Sequence, residues 1–141
     1  MKKRLQDFIG SSLLVGVLIC LLAFMAIAQD QKVGGAWVIP PKYKAMKNPI
    51  KGDAASLNVG KMLYAKHCKS CHGTLGLGDG PKAGNMKTKI NSLKESKFQA
   101  QSDGEIYFQS FVGRDEMPNF EKKILDEEER WAIINFTRSL K

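Results

Sequence analysis

Residues 68–72 read Cys-Lys-Ser-Cys-His, and the side chains in that run are spaced to act on one group together. Two cysteines three positions apart at the end of a helix can reach the two vinyl groups along one porphyrin edge and form thioethers. The histidine that follows at once is then carried beneath the ring centre, where an imidazole nitrogen can ligate iron. This is the C-x-x-C-H spacing of covalent haem c attachment. Two other chemistries use the same residue types. A dithiol redox pair expects alternating strand and helix around the motif, and no such alternation is visible here. A structural zinc site needs four ligands, yet beyond residue 28 the chain offers only His67, Cys68, Cys71 and His72, too crowded in sequence to close a tetrahedron well.

The elements that must position this motif are written on either side of it. Gly60, Tyr64 and Cys68 stand at i, i+4 and i+8 and share one helix face, with Leu57 extending the stripe backwards. Gly60 would let a second helix approach closely. That partner is legible near the other end, where Asp126-Glu127-Glu128-Glu129 supplies an N-cap and an acidic first turn ahead of RWAIINFTRSLK. Ile133, Phe136 and Leu140 form its apolar stripe, and Arg138 and Lys141 suit its C-terminal end. Two such helices in contact would wall one side of a haem pocket. Gly73, Gly76, Gly78 and Gly80 follow the motif. A phosphate cradle would need a strand before them and a helix after them; a backbone folded closely around a haem edge accounts for them better.

With these residues in view, GKMLYAKHCKSCHG resembles the N-terminal helix and haem site of class I cytochromes c, and LDEEERWAIINFTRSL resembles that family's closing helix. The similarity covers residues 54–141. The preceding WVIPPKYKAMKNP is similar to the lead-in of small bacterial monohaem cytochromes of respiratory chains. The resemblance implies an all-α domain of roughly three to five helices around one covalent haem c, the N- and C-terminal helices crossing. It also implies a methionine on the haem face opposite His72. His67 adjoins Cys68 and is held on the wrong side, Met46 and Met62 precede the motif, and Met62 points away from the haem face; Met86 and Met117 remain. Met117 lies in Gly113-Arg114-Asp115-Glu116-Met117-Pro118, where the proline biases it to an extended conformation and stops a helix. That matches the family's Met-Pro pattern, so Met117 is the expected ligand and Met86 the runner-up. Pro81, nine residues after His72, is at the spacing where related bacterial cytochromes use a proline carbonyl to accept a hydrogen bond from the ligand histidine.

Iron with His72 below and Met117 above has no open position, which implies an electron carrier and no enzyme. The competing reading is a haem sensor or small haem enzyme with an exchangeable sixth ligand; a third is a fixed redox subunit of a membrane complex. The chain carries 22 Lys+Arg against 14 Asp+Glu, a formal net charge of +8. Residues 40–100 hold twelve Lys and only Asp53, Asp79 and Glu95, whereas residues 101–141 are net acidic at −3. A rim of Lys61, Lys66, Lys69, Lys82, Lys87 and Lys89 could steer an acidic redox partner; the resemblance implies a quinol-oxidising complex, a terminal oxidase or another reductase. Nucleic acid is not expected, since there is no recognition fold and no arginine cluster.

The first residues, Met1-Lys2-Lys3-Arg4, are basic, and residues 13–28 carry no charge and end in Ala26-Ile27-Ala28. That is the pattern of an export signal over residues 1–28. Counted from Phe8 the uncharged run reaches about 20 residues, enough for an uncleaved membrane anchor instead. Cys20 within it reads as a small hydrophobe, because Ile19 before it is not the small residue of a lipoprotein signal. Either way the remainder, an extended lead-in over 29–53 and the cytochrome domain over 54–141, is expected in the periplasm or on the outer face of the membrane.

Overall fold

The computed structural model describes residues 34–141; the export segment expected over residues 1–28, with Cys20, lies outside the described residues. Among the described residues every regular element is helical, in agreement with the all-α expectation. In chain order these are α1 (Pro41–Lys44), α2 (Ala54–His67), α3 (Lys69–His72), a 3-10 turn (Ala83–Asn85), α4 (Ser96–Gln99), α5 (Asp103–Tyr107), a π-helical turn (Phe108–Val112) that continues α5, and α6 (Glu127–Ser139). None of these helices is long and apolar enough to cross a membrane.

Local chemistry sets the ends of the two long helices. The Asp53 carboxylate accepts from the Ser56 backbone N–H at 3.0 Å to start α2. Asp126 caps α6 by accepting from the Glu128 N–H at 2.8 Å, and Glu127, Glu128 and Glu129 fill its first turn, where the positive end of the helix dipole favours them. The closing helix therefore begins where the sequence places its cap.

The two helices cross at Gly60, where a β-carbon would stand 2.0 Å from the Ala132 carbonyl oxygen and 2.9 Å from the Phe136 β-carbon. Next to the crossing, the Tyr64 and Phe136 rings lie 5.1 Å apart. At the rim Asn135 donates to the Ser56 hydroxyl at 2.8 Å and the Lys51 carbonyl at 3.1 Å, and accepts from Asn48 at 2.7 Å. The buried face of α6 is wider than the stripe of Ile133, Phe136 and Leu140, since Trp131, Ala132, Ile134 and Thr137 are buried as well. The reason is that α6 is contacted by both α2 and α5. Its tryptophan joins Ile106, Tyr107, Phe111, Phe120, Ile124, Ile133 and Ile134 in one core cluster.

The lead-in is not extended throughout: residues 41–44 make one helical turn with a proline at its start, a position where the missing N–H loses nothing. That turn sits on α5. The Tyr43 ring is 4.7 Å from Phe108 and 6.4 Å from Tyr107, and a β-carbon on Gly104 would come 1.9 Å from the Tyr43 carbonyl oxygen.

Candidate haem-binding site

Helix α2 hands over to α3 at Cys68. The Cys68 N–H still donates to the Tyr64 carbonyl at 2.8 Å, and the Cys68 carbonyl already accepts from Cys71 and His72 at 3.2 and 3.0 Å. The handover brings Cys68, Cys71 and His72 together at one helix end, and Gly73, with φ of 81°, terminates it. Gly60 and Tyr64 on the same stripe are buried, and Cys68 packs against the core. Cys68 and Cys71 are both free thiols. Burial, with Cys71 adding to it, pushes the Cys68 thiol up to about 12; a sulfur that stays protonated is a poor partner for dithiol exchange. Among the described residues no group of three or more Cys, His, Asp or Glu is placed to hold a metal ion, so the zinc alternative finds no set of ligands.

His72 fits an iron-bound porphyrin. Burial holds its imidazole below the ordinary histidine range, which keeps the ring neutral at pH 7, the form with a lone pair to donate. Its Nδ1 is buried and has no hydrogen-bond partner, so the bond expected from this ring to the Pro81 carbonyl is not formed in this structure. The backbone beside Pro81 is nevertheless laced to the motif. Gly80 donates to the Cys71 carbonyl at 3.2 Å, Lys82 to Ser70 at 2.8 Å, and Gly78 to His72 at 2.8 Å. A β-carbon on Gly80 would meet the Ser70 oxygen at 2.5 Å, which is why a residue without one stands there. The Tyr64 hydroxyl donates to the Gly73 carbonyl at 2.8 Å. Burial raises that phenol above its ordinary range, so it remains a donor.

Met117 is half-buried and packs against the core cluster. Its backbone pairs with Arg114 in both directions, at 2.8 and 2.9 Å, across a tight loop in which Asp115 has φ of 49° and Gly113 of 71°. The two Glu116 oxygens accept from the Lys87 and Thr88 backbone N–H groups at 3.0 and 2.8 Å, bonds that hold its carboxyl below the ordinary range. Glu116 thus fastens the Met117 loop to the segment directly after Met86, and the two candidate methionines ride on adjoining stretches of chain. Of the others, Met62 is 65 % exposed, Met46 packs on the core from the lead-in, and His67 stands edge-on to Phe120 with ring centroids 6.0 Å apart. Glu116 and the Tyr64 hydroxyl are the contributors that a reading of the motif passes over. Glu116 has no local signature, since its bonds span 28 and 29 residues, whereas helical spacing places Tyr64 on the right face without making its hydroxyl's partner legible.

Comparison with curated individual proteins finds none that matches. The family model described as Cytochrome c matches residues 57–141, more than half of the chain. Because that match runs from the helix ahead of Cys68 through to the end of α6, the chain belongs to the cytochrome c family, whose members hold haem covalently and carry electrons.

Proposed function

We propose that the protein holds one haem c, attached through Cys68 and Cys71 and ligated by His72 and Met117, and passes single electrons between respiratory-chain proteins outside the cytoplasm. The observation that carries the site is the half-buried, neutral His72, its Nδ1 enclosed, directly behind two free thiols at a helix end. When bound, the haem supplies reversible one-electron exchange between Fe(II) and Fe(III), at a potential that a methionine ligand raises.

The chain's own residues prepare that exchange. Cys68 and Cys71 fix the cofactor edge, and His72 offers an imidazole lone pair. The loop laced to the motif by Gly78, Gly80 and Lys82 holds the backbone of Ser70, Cys71 and His72 in place. Met117, on a loop held by Arg114 and Glu116, would supply the second protein ligand to the iron. The Pro81 carbonyl is proposed as the acceptor for the histidine's second nitrogen, the hydrogen bond that the buried Nδ1 lacks.

Lys61, Lys66, Lys69, Lys82, Lys87 and Lys89 are all exposed, which supports an acidic docking partner met through a small, quickly released interface. A quinol-oxidising complex and a terminal oxidase or other reductase are the proposed donor and acceptor. Export over residues 1–28, or their retention as an anchor, delivers the domain to the periplasmic side.

The test is the mass of the denatured protein, produced together with haem-attachment machinery. One haem should survive denaturation, and replacing either Cys68 or Cys71 with Ala should leave fewer thioether links. A mature protein of bare polypeptide mass would overturn the site. Rapid carbon monoxide binding to the reduced protein would favour the sensor or enzyme reading over the carrier.

A further inference from the structure

Arg114 pairs its backbone with Met117 and sends its side chain to a segment far away in sequence. Its Nη1 donates to the Ala36 carbonyl at 2.8 Å and its Nη2 to the Gly35 carbonyl, contacts that span 78 and 79 residues. Its guanidinium carbon also lies over the Trp37 ring, 4.0 Å from the ring centroid. The same indole stands edge-on to Phe108, 6.2 Å between centroids. Phe108 opens the π-helical turn that leads into the loop, and its carbonyl accepts from Gly113 at 3.1 Å. A β-carbon on Gly34 would come 3.0 Å from Thr88 Cγ2, and Thr88 is one of the two residues that Glu116 binds. Residues 34–37, 87–88 and 114–117 therefore meet at one junction, with Arg114 as the side chain that ties the first to the third.

We propose that Arg114 is a positioning residue that straps the Met117 loop under residues 34–37, and so sets how readily Met117 leaves the haem iron. This rests on the reading of Met117 as axial ligand. The chemistry requires an arginine. A planar fork can span two adjacent carbonyls while its face stacks on an indole, whereas a lysine ammonium can do only one of these at a time. The neighbouring Asp115 is no substitute anchor: it lies 3.8 Å from Arg114 Nε with its side chain 80 % exposed, a surface pair of little strength. The strap acts on local opening of the loop, not on the fold, because Arg114 lies outside the core cluster and its side chain is 31 % exposed. Another fastening of the lead-in, Asn48 to Asn135, lies beside the α2–α6 crossing and does not involve the loop.

The experiment uses the full-length holoprotein and follows cyanide displacing the sixth ligand of the ferric form, beside the sulfur–iron near-infrared band and the denaturation midpoint. Arg114→Ala and Trp37→Ala should each speed cyanide binding by about tenfold, with haem still attached. Arg114→Lys should behave nearly like the alanine variant. Asn48→Ala should lower the midpoint and leave the cyanide rate where it was. An unchanged rate in Arg114→Ala, with Met117→Ala abolishing the band, would overturn the strap and leave the ligand assignment standing. A rate raised as much by Asn48→Ala as by Arg114→Ala would also overturn it, since general softening would then explain both. If Met117→Ala keeps the band, the ligand reading fails and the strap's proposed role fails with it.

Discussion

Gly60 and Ala132 touch through their backbones: a β-carbon on Gly60 would lie 2.0 Å from the Ala132 carbonyl oxygen and 2.6 Å from its carbonyl carbon. Those are rigid atoms of another helix, so a side chain at this position can be accepted only if α2 and α6 separate. Gly60→Ala should lower stability by about 1–3 kcal/mol, and Gly60→Leu by at least as much, by overpacking. Urea denaturation checks this. An unchanged midpoint in both variants would mean that the helices do not meet at this residue.

The crossing and the haem motif were legible because their signals are local. Gly60, Tyr64 and Cys68 need only helical spacing to be placed on one face, and Asp126 announces its helix through the acidic turn that follows it. What was hidden is what joins distant segments. Nothing around Glu116 says that it caps backbone N–H groups 28 and 29 residues earlier. Nothing around Arg138 says that it reaches beyond its own helix end, where the sequence suggests only a favourable charge. Ser102-Asp103-Gly104-Glu105 is a different case. It has the spacing of a capping box, a signal that attention to the haem motif passes over.

Arg138 ties α6 to the α4–α5 corner through one carboxylate and two carbonyls. Its Nε and Nη2 donate to Asp103 Oδ1 at 2.9 and 2.7 Å, its Nη1 to the Gln99 carbonyl at 2.6 Å, and its Nη2 to the Gln101 carbonyl at 2.5 Å. Lysine keeps the charge and loses the fork, so Arg138→Lys should cost about 1–2 kcal/mol, a range that allows for partial exposure of the pair. Asp103→Asn should cost less, because the two carbonyl contacts persist. Denaturant midpoints with unchanged slopes would check the order of the two variants.

The capping box of α5 predicts a pH dependence. Ser102 Oγ accepts from the Glu105 N–H at 3.2 Å while Glu105 Oε2 accepts from the Ser102 N–H at 2.8 Å. The second bond is the main cause that holds the Glu105 carboxyl below its ordinary value of 4.5. A carboxyl depressed by folding contributes stability that is present above that value and is lost as pH falls through the lower, folded one. The stability gap between wild type and Glu105→Gln should therefore be full at pH 7 and shrink below about pH 4.5. Ser102→Ala should cost about 1 kcal/mol at neutral pH. A gap that stayed constant down to pH 3 would show that the carboxylate bond contributes nothing.

Met117 decides between a carrier and a haem protein with an open iron. Its loop is held by paired backbone bonds to Arg114 and by the Glu116 carboxylate on Lys87 and Thr88, so the methionine is presented by a fixed turn. Replacing Met117 with Ala should leave the haem attached, because Cys68 and Cys71 are untouched. It should remove the weak near-infrared band of a sulfur–iron bond and lower the potential, since the ligand that favours ferrous iron is gone. Cyanide and carbon monoxide should then bind readily. Met86→Ala is the control and should do none of this, although Met86 directly precedes the segment that Glu116 grips. If Met86→Ala lost the band and the potential while Met117→Ala kept both, the ligand would come from the neighbouring stretch and the Glu116 bonds would be holding the wrong methionine's loop. If the unmodified reduced protein bound carbon monoxide at once, neither methionine would be closing the iron, and electron transfer would yield to ligand sensing or catalysis.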